Sequence, residues 1–167
     1  MRSPILTLAL TAAACGQPTA AEGTEAGAAN DAPEAIAQCL DDAICLFEGT
    51  NHFGAEGEER DLEVRLPAAP NGAPVIFVWH YLGGSAVEML DWMGVSSLVD
   101  AGFVVVAPAS RSLRGSEWKL DGPPASNPDV VFFDALLAQL TTQYAVDNER
   151  IYATGFSAGG LFTSYLT

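Results

Sequence analysis

Three short apolar runs, each bounded by turn residues, organise the chain from Pro74 onward. They are Pro74-Val75-Ile76-Phe77-Val78-Trp79-His80, Phe103-Val104-Val105-Val106-Ala107 and Arg150-Ile151-Tyr152-Ala153-Thr154. Each is rich in β-branched and aromatic residues and lacks polar alternation, the pattern of a strand covered on both faces. Arg60 to Pro67 alternates polar and apolar instead, which predicts a half-exposed strand. Between the runs the spacing becomes helical. Ser85 stands three residues before Glu88, a capping box that opens a helix from about Ala86 to Asp100, with Gly102 ending it. Asn127-Pro128 caps a second helix, about Asp129 to Tyr144, with Val130, Phe133, Leu136, Leu137 and Leu140 on one face. A third begins at Ala158. Strands alternating with helices predict an α/β fold with a mostly parallel sheet and helices on both faces. The loop from Pro108 to Pro128 is long, and loops of that length in compact domains usually carry function.

The first third of the chain is built differently. Residues 1–14 place Arg2 before the apolar run Ile5 to Leu10 and the small residues Thr11 to Ala14, which predicts a signal peptide. Small residues before Cys15 resemble a bacterial lipobox, with Ala12 where leucine is usual. Cys15 is then the lipidated first residue of the mature protein, and the alternative is an ordinary signal peptide cut near Ala14. Residues 16–34 hold Ala, Gly, Glu, Thr and Pro without one large apolar side chain, so they predict a disordered tether beginning at the lipidated cysteine. Residues 35–59 form a lead-in, with helical character between Ala35 and Phe47, and residues 60–167 form the domain proper.

The net charge of −14 sharpens this division. Gly16 to Glu63 contains twelve acids against the single base Arg60, whereas Val64 onward contains nine acids and five bases. The acidity solubilises the tether and excludes nucleic acid as a partner, because no basic patch exists to meet phosphates. Cys39 and Cys45 are expected to form a local disulfide in an exported protein, the alternative being partners outside this chain.

The chemistry is concentrated in Gly155-Phe156-Ser157-Ala158-Gly159, between the third buried strand and the helix that follows. A serine on a strand-to-helix turn with glycine two positions away on each side is a nucleophile elbow. The glycines are required because strand and helix pass too closely for side chains. A second segment, His80-Tyr81-Leu82-Gly83-Gly84, follows the first buried strand. A tetrahedral acyl intermediate needs two preorganised N–H groups at its oxyanion. Ala158, after the nucleophile, is one donor, and Leu82 or Tyr81 is the second. Of the two histidines, His80 belongs to the oxyanion segment as a structural residue. His52 lies in the turn Gly49 to Gly54 as a surface residue, so neither fills the base position. Tyr81 and Phe156 flank the proposed site, Trp118 either lines a pocket or packs, and Trp92 and Phe103 belong to the core. No metal-spaced His/Asp cluster and no phosphate loop is present in the sequence.

Together, Val78-Trp79-His80 with Gly83-Gly84-Ser85, Asp129-Val130 with Phe133 and Ala135-Leu136, and Tyr144 through Gly160 resemble a family of extracellular α/β-hydrolases. It is the polyhydroxybutyrate depolymerase, feruloyl esterase and acetylxylan esterase group. The resemblance covers about residues 60–167, the N-terminal half of such a catalytic domain. It implies an α/β-hydrolase fold truncated after the elbow, hydrolysis of ester substrates by Ser157 without metal or cofactor, and an exported protein held to membrane only through Cys15. The family's triad Asp and His follow the serine, so this chain alone is expected to be inactive. A non-catalytic surface lipoprotein or an incomplete gene product is the alternative.

Overall fold

The computed structural model describes residues 6–7, 45–55, 57–111 and 118–167. The signal peptide apart from Leu6–Thr7, its cleavage site, Cys15, the tether, Cys39 and residues 35–44 of the lead-in lie outside these residues. Cys45 is disulfide-bonded.

A sheet in the order β1-β6-β4-β5-β3-β2 forms the centre. Its strands are β1 (Leu6–Thr7), β2 (Gly49–Ala55), β3 (Glu58–Arg65), β4 (Val75–Trp79), β5 (Val104–Pro108) and β6 (Ile151–Gly155). The pairs β1–β6, β6–β4 and β4–β5 are parallel, whereas β3 runs antiparallel to β5 and β2 antiparallel to β3. Among the described residues four α-helices accompany the strands: α1 (Ala86–Met93), α2 (Ser96–Asp100), α3 (Pro128–Tyr144) and α4 (Ala158–Leu166).

The unbroken apolar runs explain the layering. Every residue of β4 and β5 is buried, and period-two alternation deals their side chains to opposite faces. Val75, Phe77, Trp79, Val104 and Val106 meet Phe133 and Leu136 of α3 and Phe162 of α4. Ile76, Val78, Val105 and Ala107 meet Met89 and Leu90 of α1. The chain passes from β4 to β5 on one side and then back across β4 to β6. Right-handed crossovers therefore put α1 and α3 on opposite faces. That reversal falls between β4 and β6, and ligand sites of open α/β sheets form outside the carboxyl ends of the strands at such a point.

Local signals act as the sequence predicts at the helix starts. The Ser85–Glu88 capping box is formed in both directions, and the Asn127 side chain accepts from the Asp129 and Val130 N–H groups. The single helix expected over Ala86–Asp100 is instead two. Gly94, at φ 61°, adopts the left-handed conformation and its N–H donates to the Leu90 and Asp91 carbonyls, which closes α1.

The lead-in contains an element that its polar, glycine-bearing sequence hides. Gly49–Ala55 is a strand paired residue for residue with β3, and Gly57, at φ 82°, closes the hairpin turn. His52 accordingly sits on this strand rather than in a turn. It is exposed, with its Nδ1 2.5 Å from Asp61. On the inner side, Phe53 meets Phe132 of α3 edge-on at 5.6 Å. The hairpin is further tied to α3 by a buried ion pair, Arg60 to Asp129 at 2.7 Å, with the guanidinium 4.4 Å over the Phe132 ring. Asp129 also accepts the Lys119 N–H at 2.6 Å, and the Asn127 amide donates to the Lys119 carbonyl at 2.9 Å. The second half of the long loop is thereby fixed to the start of α3.

Candidate active site

β6 ends at Gly155 and α4 begins at Ala158, so two residues make the whole turn. Ser157 occupies it at φ 53° and ψ −115°, a conformation that a residue with a Cβ adopts only under strain. The Gly159 N–H closes the turn on the Phe156 carbonyl at 3.0 Å, and the Leu161 N–H begins α4 on the Ser157 carbonyl at 3.0 Å. The Ser157 hydroxyl does not cap the helix, and the residue is exposed. The strain therefore holds a free hydroxyl at the head of α4.

The glycines are demanded by the neighbouring backbone. A Cβ at Gly159 would overlap the Trp79 carbonyl oxygen and come within 2.8 Å of that of His80. One at Gly155 would meet the Gly159 carbonyl oxygen at 2.6 Å and that of Trp79 at 2.8 Å. The first turn of α4 thus lies directly on the end of β4. Ala158 is the first helical residue, and no intrahelical acceptor exists for its N–H.

From that end of β4 runs the second predicted segment. Gly84 N–H donates to the Tyr81 carbonyl at 2.9 Å, making a turn with Gly83 at φ 79° in its third position. The Tyr81 ring covers Gly84, lying 3.0 Å from where a Cβ would stand, and Leu82 at the turn's tip is exposed. Tyr81 and Leu82 thus follow directly on the end of β4 against which the first turn of α4 lies. Phe156 joins the two segments, with its ring 6.2 Å from that of Tyr81.

His80 lies beneath this turn, 1% exposed. Its Nε2 accepts the Ser110 N–H at 3.0 Å, so its Nδ1 carries the proton and donates to the Tyr81 carbonyl at 2.8 Å. Burial holds the ring below the ordinary imidazole value, against the opposing pull of the Tyr81 bond and the Glu88 charge. Both nitrogens are committed and the ring is neutral. It braces the turn and has no nitrogen left to take a proton from Ser157. His52 lies on β2, at the far end of the sheet from β6.

The aromatic residues divide differently from expectation. Trp118 packs, with 4% exposure, among Trp79, His80 and Phe162. Phe103 is half-buried against the α1 face. Trp92 is not a core residue: it is 64% exposed and its ring stands 4.9 Å from that of Phe156, itself half exposed. The signal was present in the sequence. Ala86, Met89, Leu90 and Met93 make the apolar stripe of α1, and Trp92 falls outside it. Among the described residues no group of three metal-ligating side chains comes together.

Two outcomes follow from this geometry. Ser157→Gly relieves the strained backbone and raises unfolding stability by about 1 kcal/mol relative to Ser157→Ala, which retains the Cβ. Denaturant titration of the two variants measures this, and a Gly variant less stable than the Ala variant contradicts it. For His80, the unfolded ring takes up a proton more readily than the folded one. Stability is thus fully present above the ordinary value of 6.5 and declines as pH falls below it. Denaturation midpoints from about pH 7.5 to about pH 5.5 should fall, with a shallower slope for His80→Asn. A rise over that window contradicts the neutral, braced ring.

No family model matches the chain. It is 38% identical over 98 residues to "Putative esterase NocK" of Nocardia uniformis subsp. tsuyamanensis, a match covering 57% of this chain and 28% of that protein. It is 28% identical over 133 residues to feruloyl esterase B of Thermothelomyces thermophilus, covering 74% of this chain and 45% of the relative. The chain thus spans less than half the length of these relatives. Among solved structures it superposes on native sOPH with a TM-score of 0.62 at 20% identity, over 75% of this chain and 48% of that one. On an alpha-beta serine hydrolase homologue from Coxiella burnetii the TM-score is 0.50 at 14% identity, over 70% and 55% of the two chains. The chain thus has the fold of α/β serine hydrolases, and the sequence relatives it matches are named as esterases.

Proposed function

We propose that the chain carries the nucleophile and oxyanion hole of a serine carboxylic ester hydrolase. The observation that carries this reading is Ser157, strained and exposed at φ 53° on the elbow between β6 and α4. Its Oγ attacks the ester carbonyl carbon while its proton passes to a general base, and the carbonyl π electrons move to oxygen. The N–H of Ala158 and that of Leu82 or Tyr81 receive the oxyanion. Collapse expels the alcohol, which takes a proton from the base, and leaves an acyl-Ser157 ester that water cleaves by the same steps.

Neither histidine of the sequence supplies that base. His80 is already bonded at both nitrogens and His52 is on the distant edge, and the relatives extend well beyond the matched region. Feruloyl or acetyl esters and polyester oligomers are the substrate classes, the first supported by the naming of relatives as feruloyl esterases. The protein is exported, through the signal peptide at residues 1–14, and is either secreted or lipid-anchored at Cys15. Among the described residues no helix is long and apolar enough to cross a membrane.

Ser157→Ala in the complete gene product is expected to lower p-nitrophenyl acetate turnover by at least about 10⁴-fold. Retained turnover would remove Ser157 from the reaction, and a parent protein without turnover would favour a non-catalytic surface protein.

A further inference from the structure

We propose that Trp118 is a positioning residue that sets the oxyanion turn against the nucleophile elbow; this rests on the esterase reading above. Trp118 enters from the long loop, distant in sequence from both segments, and its indole Nε1–H donates to the His80 carbonyl at 2.8 Å. That carbonyl lies just past the last β4–β6 pair, Trp79 with Gly155, so the sheet supplies it with no partner. It is also one of the two carbonyls on which the Gly159 backbone rests. The next peptide begins the turn of Tyr81 and Leu82. One hydrogen bond therefore holds the point where β4, the oxyanion turn and the head of α4 converge.

The same side chain touches α4 directly. The Trp118 and Phe162 rings stack at 5.1 Å and 13°, and Trp79 meets both edge-on, at 5.1 Å and 5.0 Å. Phe162 is fully buried and lies four residues beyond Ala158 on the nucleophile helix. The loop position is itself held, because the neighbouring Lys119 is bonded through its N–H to Asp129 and through its carbonyl to Asn127. Since Asp129 is paired with Arg60, the anchorage runs back to β3. A phenylalanine at this site would preserve the stacking and lose the donor, leaving the His80 carbonyl buried without its partner. The shape of Trp118 thus serves the core, whereas its N–H serves the position of the turn.

Two variants of the complete gene product separate these roles. Trp118→Phe removes the N–H and part of the ring. Benzothienylalanine at position 118 keeps the bicyclic shape and replaces the N–H by sulfur. Both are expected to lower kcat for p-nitrophenyl acetate roughly 10- to 100-fold, with KM changed by less than about twofold. The benzothienylalanine protein should unfold within a few degrees of the parent, with the Tyr81, Leu82 and Gly159 amide signals displaced in a proton–nitrogen correlation spectrum. Unchanged kcat with undisplaced amides in that protein overturns the proposal, as does a loss of rate that only tracks the unfolded fraction. If the parent shows no Ser157-dependent hydrolysis, the esterase reading fails. The amide displacements then decide the positioning role alone.

Discussion

The contact on which the rest of the structure depends is the approach of the first turn of α4 to the end of β4. At Gly159 there is no room for a single extra carbon, because the Trp79 carbonyl already fills that place. A helix this close to a strand cannot slide or tilt without collision, so the Phe156 to Gly159 turn has one available path. That path holds Ser157 at positive φ, with its hydroxyl making no capping bond to the helix it heads. The strain is local and is sustained by packing around it: Phe162, buried on the same helix, lies against Trp79 and Trp118. Elbow geometry is thus a consequence of burial one turn further along the chain.

β4 serves as the reference for the segments that meet at its carboxyl end. Its side chains are buried on both faces, which fixes its height in the sheet. The carbonyl of its last residue, Trp79, receives the Phe156 N–H at 3.4 Å, and that of the next residue, His80, receives the Trp118 indole at 2.8 Å. Directly after it, the His80 ring links the Tyr81 carbonyl to the Ser110 N–H beyond β5. Neutrality of that ring is a requirement of the arrangement, since a protonated imidazole would face the Ser110 N–H with a second donor. A histidine that a motif search would offer as a catalytic base is instead part of the scaffold. The buried Arg60–Asp129 pair acts at longer range, joining the antiparallel hairpin to α3 and to the loop that carries Trp118.

What could be read in the sequence was what short-range physics encodes. The runs at Val75–Trp79 and Val104–Pro108 declare two covered faces by lacking polar alternation, and the caps at Ser85 and Asn127 are satisfied within three residues. The elbow was legible because crowding leaves glycine as the residue that fits at positions 155 and 159. Gly49–Ala55 was not, since its strand identity comes from pairing with β3 and from Phe53 meeting Phe132, neither visible in its own composition. The division of the first long helix at Gly94 was hidden by apolar residues continuing on either side. The roles of Ser110 and Trp118 were beyond reach for a different reason. Each acts through one hydrogen bond to His80 from a distant part of the chain, and no local pattern specifies such a bond.

The central claim is that Ser157 is a nucleophile created by its position on the elbow. Reaction of the complete gene product with a fluorophosphonate, followed by peptide mapping, tests it directly. The account predicts a single phosphonyl adduct on Ser157, formed by the folded protein and lost when the protein is denatured before exposure. Modification at another serine, or none in a preparation that hydrolyses esters, would contradict it.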